Sequence, residues 1–339
     1  MMRQRWVRIL GGTLALGLAT ATLSGCGGRR DTATTDDADT PVTCEVKDDI
    51  RISIATGNNT GVYFAIGNAY ANQISAATGG TVKATAAETG ASVQNIQQLV
   101  RGDYQVAFSL ADSAADAVNG NGAFDGKPQP IRALSRIHTN YTQVIARTGA
   151  GITTVEDLKG KRVSTGSPKS GTEVIANRLL QSAGLDPAKD VQAQRLDLAK
   201  TVDGMKSGSI DAMVWSGGLP TPGITDLFTT AKNRVTFLDI TPLLPAMRKI
   251  SGEYEQASIP AATYGTPAAV PTIAVPNLLL VPESLDADLA CVLTRTLFEK
   301  QQALVAANKA AKDISLDTAS RTEPVKLHRG AEKALADLQ

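Results

Sequence analysis

Short β-rich runs alternate with longer helical stretches along most of this chain, and five of the strand-like runs end in turns of glycine, serine, threonine and asparagine. Ile52-Ser53-Ile54-Ala55 reads as a strand that stops at Thr56-Gly57-Asn58-Asn59-Thr60-Gly61. A helical segment follows, with Phe64, Ile66, Ala69, Tyr70 and Ile74 near helical spacing, until Gly79-Gly80. Residues 81–86 read as a second strand, Ser92–Val100 as a short helix with Val93, Ile96 and Leu99 on one face, and residues 106–110 as a third strand. The middle repeats the order: a short helix at 153–158, a strand at 162–165, a helix at 172–183, a strand at 191–196, a helix at 198–207 and strands at 211–215 and 235–238. Residues 272–281 are strand-like but hold Pro276, which points to an edge, a bulge or a crossover. Residues 286–310 read as the longest helix, with Leu289, Val292, Leu293, Thr296, Leu297 and Leu304 as its apolar stripe, and a last helix closes the chain near 330–338. Such alternation predicts α/β layers around a mostly parallel sheet. In open sheets of this kind ligands bind beyond the carboxyl ends of the strands, which is where the polar turns fall.

The start of the chain has a separate role. Arg3, Arg5 and Arg8 precede an apolar run over 9–23, and Leu23-Ser24-Gly25-Cys26 follows. A charged start, a short apolar core and a small-residue exit make a secretory signal; the run is too short and glycine-interrupted for a spanning helix. The ending resembles a bacterial lipobox, which implies cleavage before Cys26 and lipid on its thiol. Residues 1–25 carry three arginines and no acid, so a precursor at +1 becomes a mature chain of 314 residues at −2. Residues 27–43 hold no large apolar residue except Val42 and read as a solvated tether. Cys44 and Cys291 remain; in an oxidising compartment they either close a disulfide, the favoured reading, or stay as buried thiols.

Near-neutral charge excludes a nucleic-acid binder driven by a basic surface. Two histidines and three cysteines argue against a Cys/His zinc site. No G-x-S-x-G, S-x-x-K or H-E-x-x-H pattern occurs, and GSPKSGT at 166–172 lacks the lysine of a phosphate loop. His138 and His328 have no accompanying nucleophile motif and read as surface or structural residues. What remains is two α/β lobes whose polar strand ends face each other and close over a small molecule.

At these loops the sequence resembles the TAXI-type solute receptors of TRAP (tripartite ATP-independent periplasmic) transporters. The matching stretches are ISIATGNNTGVYFAIGNAYA (52–71), ETGASVQNIQQLVRGDYQVAFSLAD (88–112), DLKGKRVSTGSPKSGTE (157–173), SGSIDAMVWSGGLPTP (207–222) and VPTIAVPNLLLVPESL (270–285). Where that family usually has Gly-Thr-Tyr-Tyr, this chain has Gly61-Val62-Tyr63-Phe64, leaving Tyr63 as the aromatic that would face the ligand. The resemblance implies a two-lobed type II periplasmic-binding-protein fold of the α/β class with the ligand cleft between the lobes. It divides the chain into signal (1–25), lipidated Cys26 and tether (26–44), lobe 1 (45–145), lobe 2 (146–255) and a return to lobe 1 (256–339). It also implies a non-enzymatic receptor, without cofactor or metal, that delivers a small carboxylate, such as a glutamate-like amino acid or a 2-oxo acid, to an ion-gradient-driven permease. The competing function is a lipid-tethered sensor for a membrane kinase.

Candidate ligand contacts sit in the turns. Thr56, Gly57 and Tyr63 flank the first, with Tyr63 in the core as the alternative. Ser92 heads a helix whose positive end suits an anion, or is a plain cap, and Asn95 lies one turn in. Asp112 orients other groups, binds an amine, or caps a helix. Ser170-Gly171-Thr172-Glu173 fits a capping box, with Gly171 and Thr172 offering N–H and hydroxyl groups. Trp215, the one tryptophan left after signal removal, forms a pocket wall or packs in the core; Gly218 and Pro220 shape the loop behind it. Arg136 is the weak candidate for a carboxylate clamp.

Overall fold

The structure, a computed structural model, describes residues 40–339. The signal, Cys26 and the tether up to residue 39 lie outside the described residues. Among the described residues ten strands form one sheet: β1 (Ile50–Ala55), β2 (Val82–Ala87), β3 (Val106–Leu110), β4 (Ile131–Arg147), β5 (Arg162–Ser164), β6 (Gln192–Gln194), β7 (Ala212–Gly217), β8 (Val235–Phe237), β9 (Glu255–Ile259) and β10 (Val270–Pro282). Their order is β2-β1-β3-β10-β4-β7-β5-β6, with β8 on β4 and β9 on β10. β1 pairs in parallel with β2 and β3, and β5 in parallel with β6 and β7. These are two copies of one wound unit, whose connections are α1 (Val62–Ala77), α2 (Ser92–Val100), α4 (Gly171–Ser182) and α5 (Leu198–Ser207). α3 (Ala111–Asn119) follows β3, and α6 (Pro222–Ala231) follows β7.

β4 and β10 join the two halves. β10 lies antiparallel to both β3 and β4, pairing Ile131 to Tyr141 of β4. From Tyr141 to Ala146 the other edge of β4 pairs with β7. The strand therefore passes from one half of the sheet to the other at Asn140–Tyr141. The sequence reading has no strand here. β4 is buried along most of its length, so the period-two alternation that betrays a half-exposed strand is absent. Of the three readings of Pro276, the structure rules out the edge. β10 has neighbours on both sides, and the ladder to β4 slips its register between Pro276 and Leu278.

The long helix expected over 286–310 is two helices, Ala287–Glu299 and Gln301–Ala307, so α1 with 16 residues is the longest. Asp286 caps the first, accepting from the Leu289 N–H at 2.8 Å. Cys44 is disulfide-bonded to Cys291 on that helix, with Cα atoms 5.1 Å apart, and the Thr43 and Cys44 N–H groups donate to Asp288 at 2.6 and 2.8 Å. The folded body thus begins where its last third is anchored. Among the described residues no helix is long and apolar enough to cross a membrane.

Packing follows the two units. Ile66, Tyr70 and Ile74 of α1 pack with Leu289, Leu293 and Leu297 against one face of the first half. Leu198, Val202 and Met205 of α5 pack with Ile224 and Leu227 of α6 in the second. A third cluster runs through both, joining Ile96 and Leu110 to Ile175, Val144 and Ile273. Burial of these side chains at about 1.5–3 kcal/mol each fixes the helices on the sheet and hence the direction of their N-termini.

Candidate functional site

The N-termini of α1, α2 and α4 converge on a cavity between the two halves, at the carboxyl ends of β1, β3 and β7. Its free interior is about 40 Å³, space for no more than a few water molecules, so the two halves stand close together over it. The first half contributes Gly57, Asn58 and Gly61 from the turn after β1, Val62 and Tyr63 from α1, and Leu110 from β3. Gly90, Ala91 and Ser92 complete that side at the start of α2. Ser170, Gly171 and Thr172 face them from α4, and Trp215, Ser216 and Gly217 from the end of β7. Asn140, at the crossing point of β4, forms the floor.

Local chemistry explains each start. Ser170 caps α4 by accepting from the Glu173 N–H at 3.0 Å, as its spacing predicts. The reciprocal bond is displaced by one residue, because Glu173 accepts from Lys169 N at 2.7 Å and also pairs with Arg195. Gly171 has no room for a side chain. A Cβ there would lie 2.4 Å from Leu110 Cδ1 and 2.6 Å from Ser92 Oγ, both on the opposite half. Ala91 enters α2 at φ 76° and ψ −160°, a region that side chains avoid at a cost of about 1–3 kcal/mol. Backbone strain therefore sits on the cavity wall.

The halves touch directly. Asn58 donates to Ser167 Oγ at 3.3 Å and accepts from the Leu198 N–H at 3.2 Å. Gln94 N donates to the Lys169 carbonyl at 3.0 Å. A chain of side chains crosses the floor: the Tyr63 hydroxyl donates to Asn277, Asn277 donates to Asn140 at 2.9 Å, and Asn140 donates to Ser216 at 3.4 Å. Burial pushes the Tyr63 phenol far above its ordinary range, against a smaller opposing pull from the Ser92 hydroxyl. Tyr63 is thus a wall whose ring meets the cavity, while its hydroxyl is spent on Asn277.

Seven of the twelve residues expected at the ligand line this cavity: Gly57, Tyr63, Ser92, Ser170, Gly171, Thr172 and Trp215. The other five lie off its wall. Thr56 is fully buried and donates to the Ala87 carbonyl at 2.6 Å. Asn95 points into the sheet, donating to the Thr56 and Phe108 carbonyls at 2.7 and 2.8 Å. Asp112 turns away to Arg178 at 3.0 Å and Tyr254 at 2.5 Å. The backbone at Gly218 abuts the first half, where a Cβ would meet Ala310 and His138 at 2.8 and 3.0 Å. Pro220 lines a separate groove with Tyr141 and Lys312. Arg136 is also elsewhere, 3.8 Å from Glu255.

Both histidines are buried, so the surface half of their reading is excluded. His328 caps the last helix through Gly330 N at 3.2 Å. His138 packs edge-on to Tyr63, and among the described residues neither ring nitrogen has a hydrogen-bond partner. Burial lowers its pKa to about 3, against a weaker contrary pull from Asn140.

Sequence reasoning passed over Asn58, Asn140 and Ser216. Asn58 stood inside the quoted turn. Asn140 was out of reach because β4 itself was not read. The cavity wall holds no charged side chain. Among the described residues no three His, Cys, Asp or Glu side chains gather as a metal site.

Two α/β lobes sharing the crossing strands β4 and β10, with a cavity between them, define the two-lobed type II periplasmic-binding-protein fold. Residues 54–337 match the NMT1-like family, and the chain belongs to it. Among solved structures it is similar to a protein of Bordetella bronchiseptica RB50, with 19% identity, TM-score 0.51, and 84% of this chain and 88% of that one covered. It is also similar to a structure described as a periplasmic transporter, at 13% identity and TM-score 0.52 over 86% and 94%. A third is the alkanesulfonate-binding protein of Xanthomonas axonopodis pv. citri bound to MOPS, at 15% identity and TM-score 0.47 over 86% and 85%.

Proposed function

We propose that this protein is an extracytoplasmic receptor of the TAXI type, which captures a small polar solute between its lobes and hands it to an ion-gradient-driven TRAP permease. The observation that carries this reading is the cavity itself, lined by both lobes and headed by three helix N-termini. Hydrogen-bond donors of this kind suit a carboxylate, such as a 2-oxo acid or a glutamate-like amino acid. The molecule is held at the membrane by lipid on Cys26 and a tether to residue 44. Lobe 1 takes residues 45–145 and 256–339, and lobe 2 takes residues 146–255. Closure about β4 and β10 seals the solute in.

A thermal-shift screen of carboxylates, sulfonates, amino acids and sugars tests the receptor reading. A solute at 100 times its Kd should stabilise the protein by about 2.7 kcal/mol. Absence of any shift across the whole screen refutes the receptor; a shift with sugars alone refutes the carboxylate. Trp215 fluorescence should change on binding, since Trp215 forms a wall of the cavity. Uptake by vesicles carrying the permease, dependent on both an ion gradient and the receptor, tests the transport partner.

A further inference from the structure

The donors and acceptors of the cavity are not balanced, and the imbalance specifies a ligand. Ser170 Oγ accepts from Glu173 N at 3.0 Å, Thr172 Oγ1 from Ser216 N at 3.2 Å, and Ser216 Oγ from Asn140 Nδ2 at 3.4 Å. All three side chains belong to residues more than nine-tenths buried, at 5, 5 and 6% exposure. None of the three hydroxyls donates to another group among the described residues, so three protons are left to give at one wall. Opposite them the first turns of α1 and α2 present N–H groups without helical partners, of which Gln94 N is taken by the Lys169 carbonyl.

The side-chain amide oxygens, by contrast, are already used. Asn58 Oδ1 takes the Leu198 N–H, and Asn140 Oδ1 takes the Asn277 amide. The nearby carboxylates are engaged outside the cavity: Glu88 holds Asn59 N at 3.1 Å, Glu173 holds Lys169 and Arg195, and Asp112 holds Arg178 and Tyr254. An ammonium group entering here would lose its water and meet no carboxylate, a loss that buried charges do not recover. A second anionic group would likewise meet no arginine or lysine on the wall. Ser92 adds a fourth hydroxyl, which accepts from the Leu110 N–H at 3.1 Å, and the remaining side chains are apolar: Val62, Leu110 and the rings of Tyr63 and Trp215.

Building on the receptor reading, we infer that the solute is a monoanion: one oxyanion head group carrying an uncharged, partly apolar remainder, with neither an ammonium nor a second carboxylate. The head group accepts from the Ser170, Thr172 and Ser216 hydroxyls and the helix N–H groups; the remainder lies against Trp215 and Leu110. Within the carboxylates this selects 2-oxo and simple monocarboxylic acids over amino acids of the glutamate kind.

Calorimetry on the full chain tests this with matched probes: C3–C6 monocarboxylates and 2-oxo monoacids, their α-amino counterparts, their dicarboxylate counterparts, their amides and the corresponding alkanesulfonates. The tightest probe should be a monoanion, and its amino counterpart should bind at least ~10-fold more weakly, as unpaired buried polar groups dictate. A sulfonate that outranks its carboxylate changes the head group and keeps the monoanion. An amino acid, a dicarboxylate or an amide as the tightest probe overturns the inference and leaves the receptor standing. No binding by any probe overturns the inference; no binding by the wider solute screen as well overturns the receptor. Thr172→Val and Ser216→Ala should each weaken the best monoanion by ~10-fold or more while changing the affinity of its amide far less, because hydrogen bonds to a charged group are the stronger ones. Equal losses for acid and amide in variants of unchanged melting temperature overturn the assignment of these hydroxyls.

Discussion

Gly171→Ala is the substitution that most directly asks whether the lobes must meet for the solute to bind. The added Cβ would stand 2.4 Å from Leu110 Cδ1 and 2.6 Å from Ser92 Oγ. Ordinary contact begins at 3.4 Å, so either the buried Leu110 and Ser92 side chains turn out of their rotamers or α4 draws back from the first half by about 1 Å. Forcing such overlap into a packed interface costs about 1–3 kcal/mol. Within the closed form that is a loss of ~5- to 150-fold in affinity. Parting of the lobes in the absence of solute would remove this contact, and alanine is a better helix former than glycine by up to about 1 kcal/mol. The unliganded protein should therefore keep its melting temperature or gain slightly. The assay is calorimetric titration beside thermal unfolding of the free variant. Adding Leu110→Ala should restore part of the affinity, since it removes the closer of the two clashes. Unchanged affinity in Gly171→Ala refutes the premise that α4 and β3 approach this closely when the solute is bound. A fall in melting temperature that matches the loss of affinity would instead make the effect one of folding.

Three more outcomes follow from buried groups. Arg178→Ala leaves Asp112, fully buried, without its cation, and should cost about 3–5 kcal/mol in urea unfolding; a loss near zero would mean that the Tyr254 hydroxyl alone suffices. His138 is buried with its pKa lowered to about 3, so the unfolded chain binds the proton first as pH falls. Its contribution is intact above the unfolded value of about 6.5 and should shrink by about 2 kcal/mol at pH 5, continuing down to about pH 3, a slope that His138→Gln should remove from the stability–pH curve. Reducing Cys44–Cys291, or replacing both by serine, should lower stability by about 2–5 kcal/mol; free thiols on both residues in the unreduced protein would exclude the bond.

The class of fold and the turns that line the cavity are legible in the sequence. Strand, polar turn and helix succeed one another locally, and the physics that writes them is local too: glycine ends a helix, Ser170 caps α4, and Val93, Ile96 and Leu99 bury one face of α2. Because ligands collect at the carboxyl ends of strands, the turns there named Gly57, Ser92, Gly171 and Trp215 before any contact was known. Which side chains of a turn face the cavity depends on contacts between segments far apart in the chain. Asp112 and Asn95 are polar residues beside the same turns as Ser92, yet one turns to Arg178, 66 residues away in sequence, and the other to the Thr56 carbonyl, 39 residues away. β4 was hidden for a related reason. A strand covered on both faces has no alternation to read, and its pairing with β10 and β7 is decided by partners more than sixty residues away. The charge inferred for the solute rests on the same kind of contact, since a hydroxyl is left with a proton to give only when the fold has filled its acceptor side and turned the carboxylates elsewhere.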